Sequence, residues 1–272
     1  MEKPERHYSQ LAAIENCGEA YRRAYAEKQK GTTVRLGVGV AVHEGRSHNL
    51  KQKIISGKNL PLDEIQDSSR DCVIQHFEDN ELFPEDEYKG LGKPGIYQLA
   101  IDTAVNFVAK DFETFQKNSQ PISVEESIGV ILKNHPFDIG VKIDLIERAA
   151  SPADKNDLSI RDCKTSSRRP RENLARISEQ LPTYALAFRA KYGRWPIECS
   201  LDYTVQKSRG RIENIRLAYT PTEDDCRAVL HRLAIADEAI RKGIFIPCSP
   251  NHWKCCDQWC EFYHDCKYVV GR

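Results

Sequence analysis

The apolar positions of the chain follow two rhythms, and the change between them divides the sequence. From Tyr8 to about Lys30, residues Leu11, Ile14, Ala20, Tyr21 and Ala24 recur at helical spacing and fall near one face. Thr33 to Asn49 begins as a short glycine-bearing stretch, with Gly37 and Gly39, and runs into a helix that carries His43. Residues 64–79 and 96–116 read as further helices, separated by a polar loop holding Pro84, Gly90, Gly92 and Pro94. No internal repeat or low-complexity tract is present.

Past residue 120 the period shortens to two. VEESIGVILK and DIGVKIDLIER alternate apolar and polar residues as half-buried strands do, and Asn134-His135-Pro136 between them predicts a hairpin turn. SPADKND is a loop and LSIRDCKTS a third strand. Arg171 to Lys191 returns to a helical period, SLDYTVQ and IRLAYT form two more strands, and Thr222 to Lys242 forms a helix opened by Thr220-Pro221. This order predicts an α/β core sheet flanked by helices, with a helical insertion ahead of it and an irregular tail from Pro247.

Composition changes this picture at two points. With 272 residues, 40% hydrophobic and 29% charged, the chain has a globular profile, which excludes collagenous and largely disordered classes. No apolar run approaches the roughly 18–20 residues of a membrane span, and the charged start MEKPERHYSQ lacks a secretory core. The expected location is therefore cytoplasmic, with no membrane partner. Lysine plus arginine and aspartate plus glutamate both number 40, so global charge gives no sign of nucleic acid and leaves a local basic groove open. The cysteines do change the picture. There are ten, five of them between Cys248 and Cys266, and in a reducing compartment such clustering points first to metal or iron–sulfur binding.

A second chemical signal lies in the strands. Asp162 and Lys164 alternate around Cys163 and so share a face, and Asp144 on a paired strand can lie beside them. For an isolated D-x-K triplet a surface ion pair is the better reading. Here Ile143, Leu145, Ile146 and Ile160 flank the charges, and charges in core strands are costly unless paired or metal-bound. Two carboxylates and a lysine on one face suit a hard divalent cation at a phosphodiester. The lysine can orient water or stabilise charge on phosphorus.

GVKIDLIER followed by LSIRDCKTS resembles the Asp and (D/E)-x-K-T strands of the PD-(D/E)XK nuclease superfamily. Gln180 and Tyr184 match the Q-x-x-x-Y helix of its RecB/Cas4-like branch, and His43 in GVGVAVHEG its G-x-x-x-H motif. YSQLAAIENCGEAYRRAY resembles the branch's opening segment, with Cys17 in the cysteine place, and WKCCDQWCEFYHDC its closing three-cysteine segment. The matches run in the family's order from Tyr8 to Cys266. Two departures stand out: a longer loop between Asp144 and Asp162, and Cys163 where an aromatic or apolar residue is usual.

The resemblance implies a restriction-endonuclease-like core sheet in a single nuclease domain, 1–272. Its parts would be a helical 1–120 with the His motif, a catalytic 121–220, and a 221–272 with a helix and the cysteine-rich segment. It implies Mg²⁺ or Mn²⁺ held by His43, Asp144, Asp162 and the Cys163 backbone carbonyl, with Lys164 catalytic and Gln180 and Tyr184 positioning DNA or bracing the lysine. A family glutamate falls on Glu125 or Glu126. It implies a [4Fe–4S] cluster on Cys17, Cys255, Cys260 and Cys266 that staples the two ends of the chain. Cys256 competes with Cys255, zinc competes with iron–sulfur, and Cys248 is left over. Cys72, Cys199 and Cys226 read as buried small residues. Arg168, Arg169 and Arg171, following Lys164, are candidate phosphate contacts, and basic residues also gather around Lys207, Arg209 and Arg211. The implied activity is exonucleolytic cleavage of single-stranded DNA ends, in repair, recombination or CRISPR-type adaptation. A structure- or sequence-specific endonuclease and a non-catalytic DNA-binding adaptor are the alternatives. The chain has no G-x-x-x-x-G-K-[ST] motif, so unwinding would fall to a helicase partner.

Overall fold

The computed structural model describes residues 3–28, 31–83, 88, 90–149, 157–207, 210–257 and 259–269. Pro84, Arg209 and positions 151–156 of the SPADKND loop lie outside the described residues.

A two-residue strand, β1 (Glu5–Arg6), precedes helix α1 (Tyr8–Asn16). The apolar face predicts one helix to Lys30, but the backbone becomes extended at Cys17, with φ −164° and ψ 112°. The tail of the chain is the reason. Gly18 N donates to Ile246 O at 2.8 Å, and a Cβ on Gly18 would stand 2.6 Å from the Ile246 backbone nitrogen. Helix α2 (Gly18–Tyr21) and a π-helical turn, Arg22–Ala26, follow this break.

Helix α3 (Val34–Ser56) is capped by Thr33, whose hydroxyl accepts from Leu36 N, and it ends at left-handed Gly57. It absorbs the stretch that its glycines mark as irregular. Gly37 is there for close packing: the ring of Phe77, from α4 (Leu62–Asp79), occupies the place a Cβ would take. Helix α5 (Lys93–Asp111) and a π-helical turn, Phe112–Gln116, complete the helical layer. Among the described residues, no helix is long and apolar enough to cross a membrane.

The sheet is built from β2 (Pro121–Val130), β3 (Asp138–Arg148), β4 (Leu158–Ser166), β5 (Glu198–Gln206) and β6 (Ile212–Tyr219) together with β1. Helix α6 (Gln180–Tyr192) crosses from β4 to β5, which lie parallel, as a parallel pair requires. Helix α7 (Glu223–Arg241) follows β6 behind a Thr222–Asp225 capping box. Helix α6 is shorter than the period from Arg171 predicts. Pro182 has no N–H for Ser178 O and its ring would strike that carbonyl, so it is tolerated only in a first turn. Residues 172–177 form turns instead.

Strand β3 carries the feature that positions the site. Strand β2 occupies one of its edges from Ile139 to Glu147. On the opposite edge β1 pairs with Asp138 and Ile139, and β4 pairs only with Leu145 to Arg148. Residues 140–144 lie in the opening between these two partners. Ile139, Ile143, Ile160, Phe188 and Leu233 fill the core beneath α6 and α7. Val38, Val42, Phe77 and Phe107 form a second core under α3–α5, which Cys163 joins from β4. Asp162 and Lys164 alternate with Cys163 and so face the α6 side.

Candidate active site

Continued by one residue, the β3–β4 ladder would set Asp144 opposite Asp162. Instead the strands part, and Asp144 Oδ2 accepts from Cys163 N at 2.8 Å, in place of a ladder bond. The Cys163 carbonyl points to the same freed edge and meets His43 Nε2 at 2.7 Å. With Nε2 donating there, His43 Nδ1 lies 3.5 Å from Asp144 Oδ2 and 3.9 Å from Glu125 Oε1. One ligand atom each from His43, Glu125 and Asp144 falls within 4.8 Å of the other two.

The structure separates the two glutamates that sequence leaves open. Glu125 faces His43, whereas the Glu126 carboxylate binds Lys191 and the Tyr192 hydroxyl at 2.9 Å. Glu125 takes φ 56°, a left-handed conformation that costs a non-glycine residue about 1–2 kcal/mol. Only packing around the cluster reveals it; no turn residue announces it.

Asp162 is fully buried. Its Oδ1 accepts from Gln180 Nε2 at 2.7 Å, and the same amide lies 2.7 Å from the Tyr184 hydroxyl. Lys164 Nζ sits 2.6 Å from Oδ2 as an ion pair, and among the described residues no donor meets Oδ2 in aligned hydrogen-bond geometry. Burial pushes the Asp162 carboxyl up to about 6 against the pull of the lysine charge. Burial opposes the charge on Lys164, but Asp162 and Asp144 outweigh it and hold the ammonium above its ordinary value. His43 follows the same logic: burial disfavours its cation, while Asp144, Glu125, Asp162 and the Cys163 carbonyl raise it to about 9. These are the signs of a buried site with more acceptors than positive charge.

His43, Glu125 and Asp144, with the Cys163 carbonyl at His43 Nε2, form an oxygen-rich donor set with one imidazole. That set fits a hard divalent cation such as Mg²⁺ or Mn²⁺. Two of the expected ligands, His43 and Asp144, meet the Cys163 carbonyl at the opening with Glu125 alongside, and Asp162 stands beside them, engaged with Lys164 and Gln180. Two tyrosines near Lys164 escape sequence reasoning. Tyr203 on β5 is opposite Lys164 in register. Tyr8 is raised by burial and by Glu179, with Lys164 and Asp162 among its charged neighbours. The strand alternation of SLDYTVQ could have placed Tyr203; nothing local places Tyr8.

All ten cysteines are free thiols. Cys17, Cys255, Cys260 and Cys266 line one cavity of about 710 Å³, walled by Trp253 and Trp259, and Cys248 lines it too. Cys248 N donates to Cys17 Sγ at 3.4 Å. Burial and then the Cys17 and Cys255 thiols push the Cys248 thiol up to about 12. Cys256 instead sits with Sγ 3.5 Å from Trp253 O and does not line the cavity. Converging soft donors fit a thiolate-bound metal centre. Cys199 and Cys226 are buried, and Cys72 is half-buried.

Arg168, Arg169 and Arg171 are exposed on the segment after β4. Arg169 pairs with Glu213 of β6 at 2.5 Å, and Lys207 pairs with the same carboxylate. The three arginines therefore lie past the end of the catalytic strand, outside the buried cluster.

No curated protein matches the sequence. Among solved structures, a candidate exonuclease from Eubacterium rectale is 11% identical with a TM-score of 0.48, the match covering 97% of this chain and 92% of that one. SSO0001 is 13% identical with a TM-score of 0.36, covering 97% and 96%. The sequence itself matches the family model of the PD-(D/E)XK nuclease superfamily over residues 8–267. The chain belongs to the PD-(D/E)XK nuclease superfamily.

Proposed function

We propose that the chain acts as one metal-dependent DNA exonuclease domain of the RecB/Cas4-like branch, acting on single-stranded or frayed ends. The observation that carries this reading is the interrupted β3–β4 ladder, where Asp144 replaces a strand bond beside the buried Asp162–Lys164 pair. His43, Asp144, Asp162 and the Cys163 carbonyl would hold Mg²⁺ or Mn²⁺, with Glu125 beside them. A divalent cation, when bound, polarises the phosphoryl oxygen and acidifies a water. Lys164, held as an ammonium, keeps its protons on Nζ and offers them as hydrogen bonds, orienting the water through its oxygen or stabilising the charge that builds on the phosphate oxygens. Gln180 fixes the Asp162 rotamer from one side, and Tyr184 braces Gln180 in turn. The products would be a 5′-phosphate and a 3′-hydroxyl. The arginines after β4 would contact phosphates, and a helicase or recombination or adaptation partner would supply unwinding.

The five-thiol cavity supports a [4Fe–4S] cluster on Cys17, Cys255, Cys260 and Cys266, which would tie α1 to the tail. The orientation of Cys255 into the cavity favours it over Cys256.

The test is cleavage of end-labelled linear single-stranded DNA beside a closed single-stranded circle, with Mn²⁺ or EDTA, and Lys164→Ala as control. Metal-dependent loss of the linear strand alone, absent in the variant, is the expected result. Cutting of both would make the chain an endonuclease. Cutting of neither by metal-loaded protein would leave a DNA-binding adaptor.

A further inference from the structure

A second cavity, of about 200 Å³, opens between the amino-terminal half of α3, helix α5 and the carboxyl ends of β4 and β5. It is too small for a drug-sized ligand and has room for one flat ring system. Val38, Leu99 and Phe107 give it apolar and aromatic walls, and Thr103, Thr165 and Gln206 supply hydrogen-bonding groups at its polar side. A nucleobase has the complementary surface: a π-face that stacks on apolar and aromatic side chains, and an edge of donors and acceptors.

Position argues for the same occupant. Both long walls lead directly to the metal-ligand cluster. Helix α3 carries Val38 and then, five residues on, His43; strand β4 carries Cys163 and then Thr165. The two walls touch, since a Cβ on Gly39 would stand 3.3 Å from Thr165 Oγ1. Five helix residues of about 1.5 Å each, about 7.5 Å, and two strand residues of about 3.3 Å each separate the cavity from the His43–Cys163 contact. That is on the order of one or two nucleotide steps along a strand whose phosphate lies at the cluster.

We propose that this cavity is a nucleobase subsite, which receives one base of the DNA strand a step or two from the scissile phosphate. This rests on the nuclease reading of the neighbouring cluster. The subsite would set the register of the strand at the metal without reading its sequence, because every base offers a stacking face.

The test is an abasic scan on the unaltered protein. Linear single strands carrying one abasic residue at successive positions are cleaved under single-turnover conditions with Mn²⁺, and the rate at each bond is read from the product ladder. Cleavage should slow about tenfold only when the abasic residue holds one fixed offset from the bond being cut. Thr103→Trp, which fills the cavity from α5, should slow cleavage of the unmodified strand by a similar factor and lose the offset effect. Its hydrolysis of bis(p-nitrophenyl) phosphate, which offers no nucleobase, should stay unchanged. Efficient cleavage of unmodified DNA with a flat abasic scan would overturn the subsite and leave the nuclease intact. Failure to cleave any strand, with or without abasic residues, would overturn the nuclease reading and the subsite with it.

Discussion

Around Asp144 each of three side chains already has a fixed partner: a strand amide for Asp144, a strand carbonyl for His43, a helix-borne amide for Asp162. The cysteine tail is organised in the opposite way. Among the described residues beyond Pro247 the one regular element is the 3₁₀ turn Tyr263–Asp265, and Trp253 at the cavity wall is 60% exposed. Among the described residues, bonds that tie the tail to the rest include Gly18 N to Ile246 O, Cys248 N to Cys17 Sγ at 3.4 Å, Gly31 N to Glu261 at 3.2 Å, and Arg23 to the Asp265 carbonyl at 2.9 Å. The cleft is preorganised by a buried sheet and has its ligands in place before any ion arrives. The tail brings four thiols to the cavity it shares with Cys17, with little apolar burial around them, so on the proposed cluster reading its order comes from what the thiols bind.

The largest expected effect therefore lies in the tail. Structural thiolate metal sites contribute on the order of 10 kcal/mol to the folding of the segments they close. Cys260→Ser should remove the visible absorbance of the purified protein and make the tail a preferred site of limited proteolysis, with the sheet core left resistant. A colourless variant with an unchanged digestion pattern would show that the tail orders itself, and the contrast with the cleft would disappear.

In the cleft the expected loss is chemical. Asp144→Asn keeps an acceptor for Cys163 N but removes the charge, and should reduce cleavage on the order of 10³-fold. Its Tm and its visible absorbance should match those of the unaltered protein. A large fall in Tm would mean that Asp144 serves the sheet more than the reaction.

A smaller effect should come from the buried ions behind the cleft. Arg46 follows His43 by one helical turn and lies 3.3 Å from Asp111 and 3.5 Å from Asp202. Breaking a buried pair typically costs about 3–5 kcal/mol. Arg46 contacts are long, and Asp202 keeps both its bonds to Arg216 at 2.7 Å. Arg46→Met should therefore cost about 3 kcal/mol, the lower end of that range, in urea unfolding with an unchanged m-value. Adding Asp111→Asn should recover part of it, since the neutral amide no longer needs a cation. A loss under about 1 kcal/mol would show that apolar packing alone seats α3.

These regions also differ in how far the sequence discloses them. Asp162 and Lys164 are legible because a strand's alternation puts them on one face, and Gln180 and Tyr184 because a helix's period does the same. The strands LSIRDCKTS and DIGVKIDLIER fall where that alternation puts them. What escapes is set by distant contacts. Strand β1 has two residues and exists only because β3 offers an edge. The break at Cys17 depends on Ile246, more than two hundred residues away. Cys248 looks surplus by spacing and proves to be a neighbour of Cys17. The late start of α6 was written in Pro182, a local signal that the apolar period outweighs on first reading.

The smallest effect sharpens the idea of a preorganised cleft, because it asks what that geometry costs. Glu125 sits at φ 56° with its carboxylate toward His43 and paired with Lys142. Glu125→Ala and Glu125→Gly both lose the carboxylate, so the lost ion pair cancels when the two variants are compared. They differ in the backbone: alanine keeps the left-handed strain, and glycine adopts φ > 0 freely. Glycine's greater freedom in the unfolded chain offsets part of the relief, by roughly 0.5–1 kcal/mol. The glycine variant should therefore be more stable than the alanine variant by up to about 1 kcal/mol, read as a shift in urea midpoint. Both should bind Mn²⁺ more weakly than the unaltered protein and by the same factor in calorimetry, since each lacks the same ligand. If alanine proves as stable as glycine, the backbone at 125 relaxes without its side chain. The strain would then be imposed by the Glu125 carboxylate reaching for His43 and Lys142, rather than by the fold of β2.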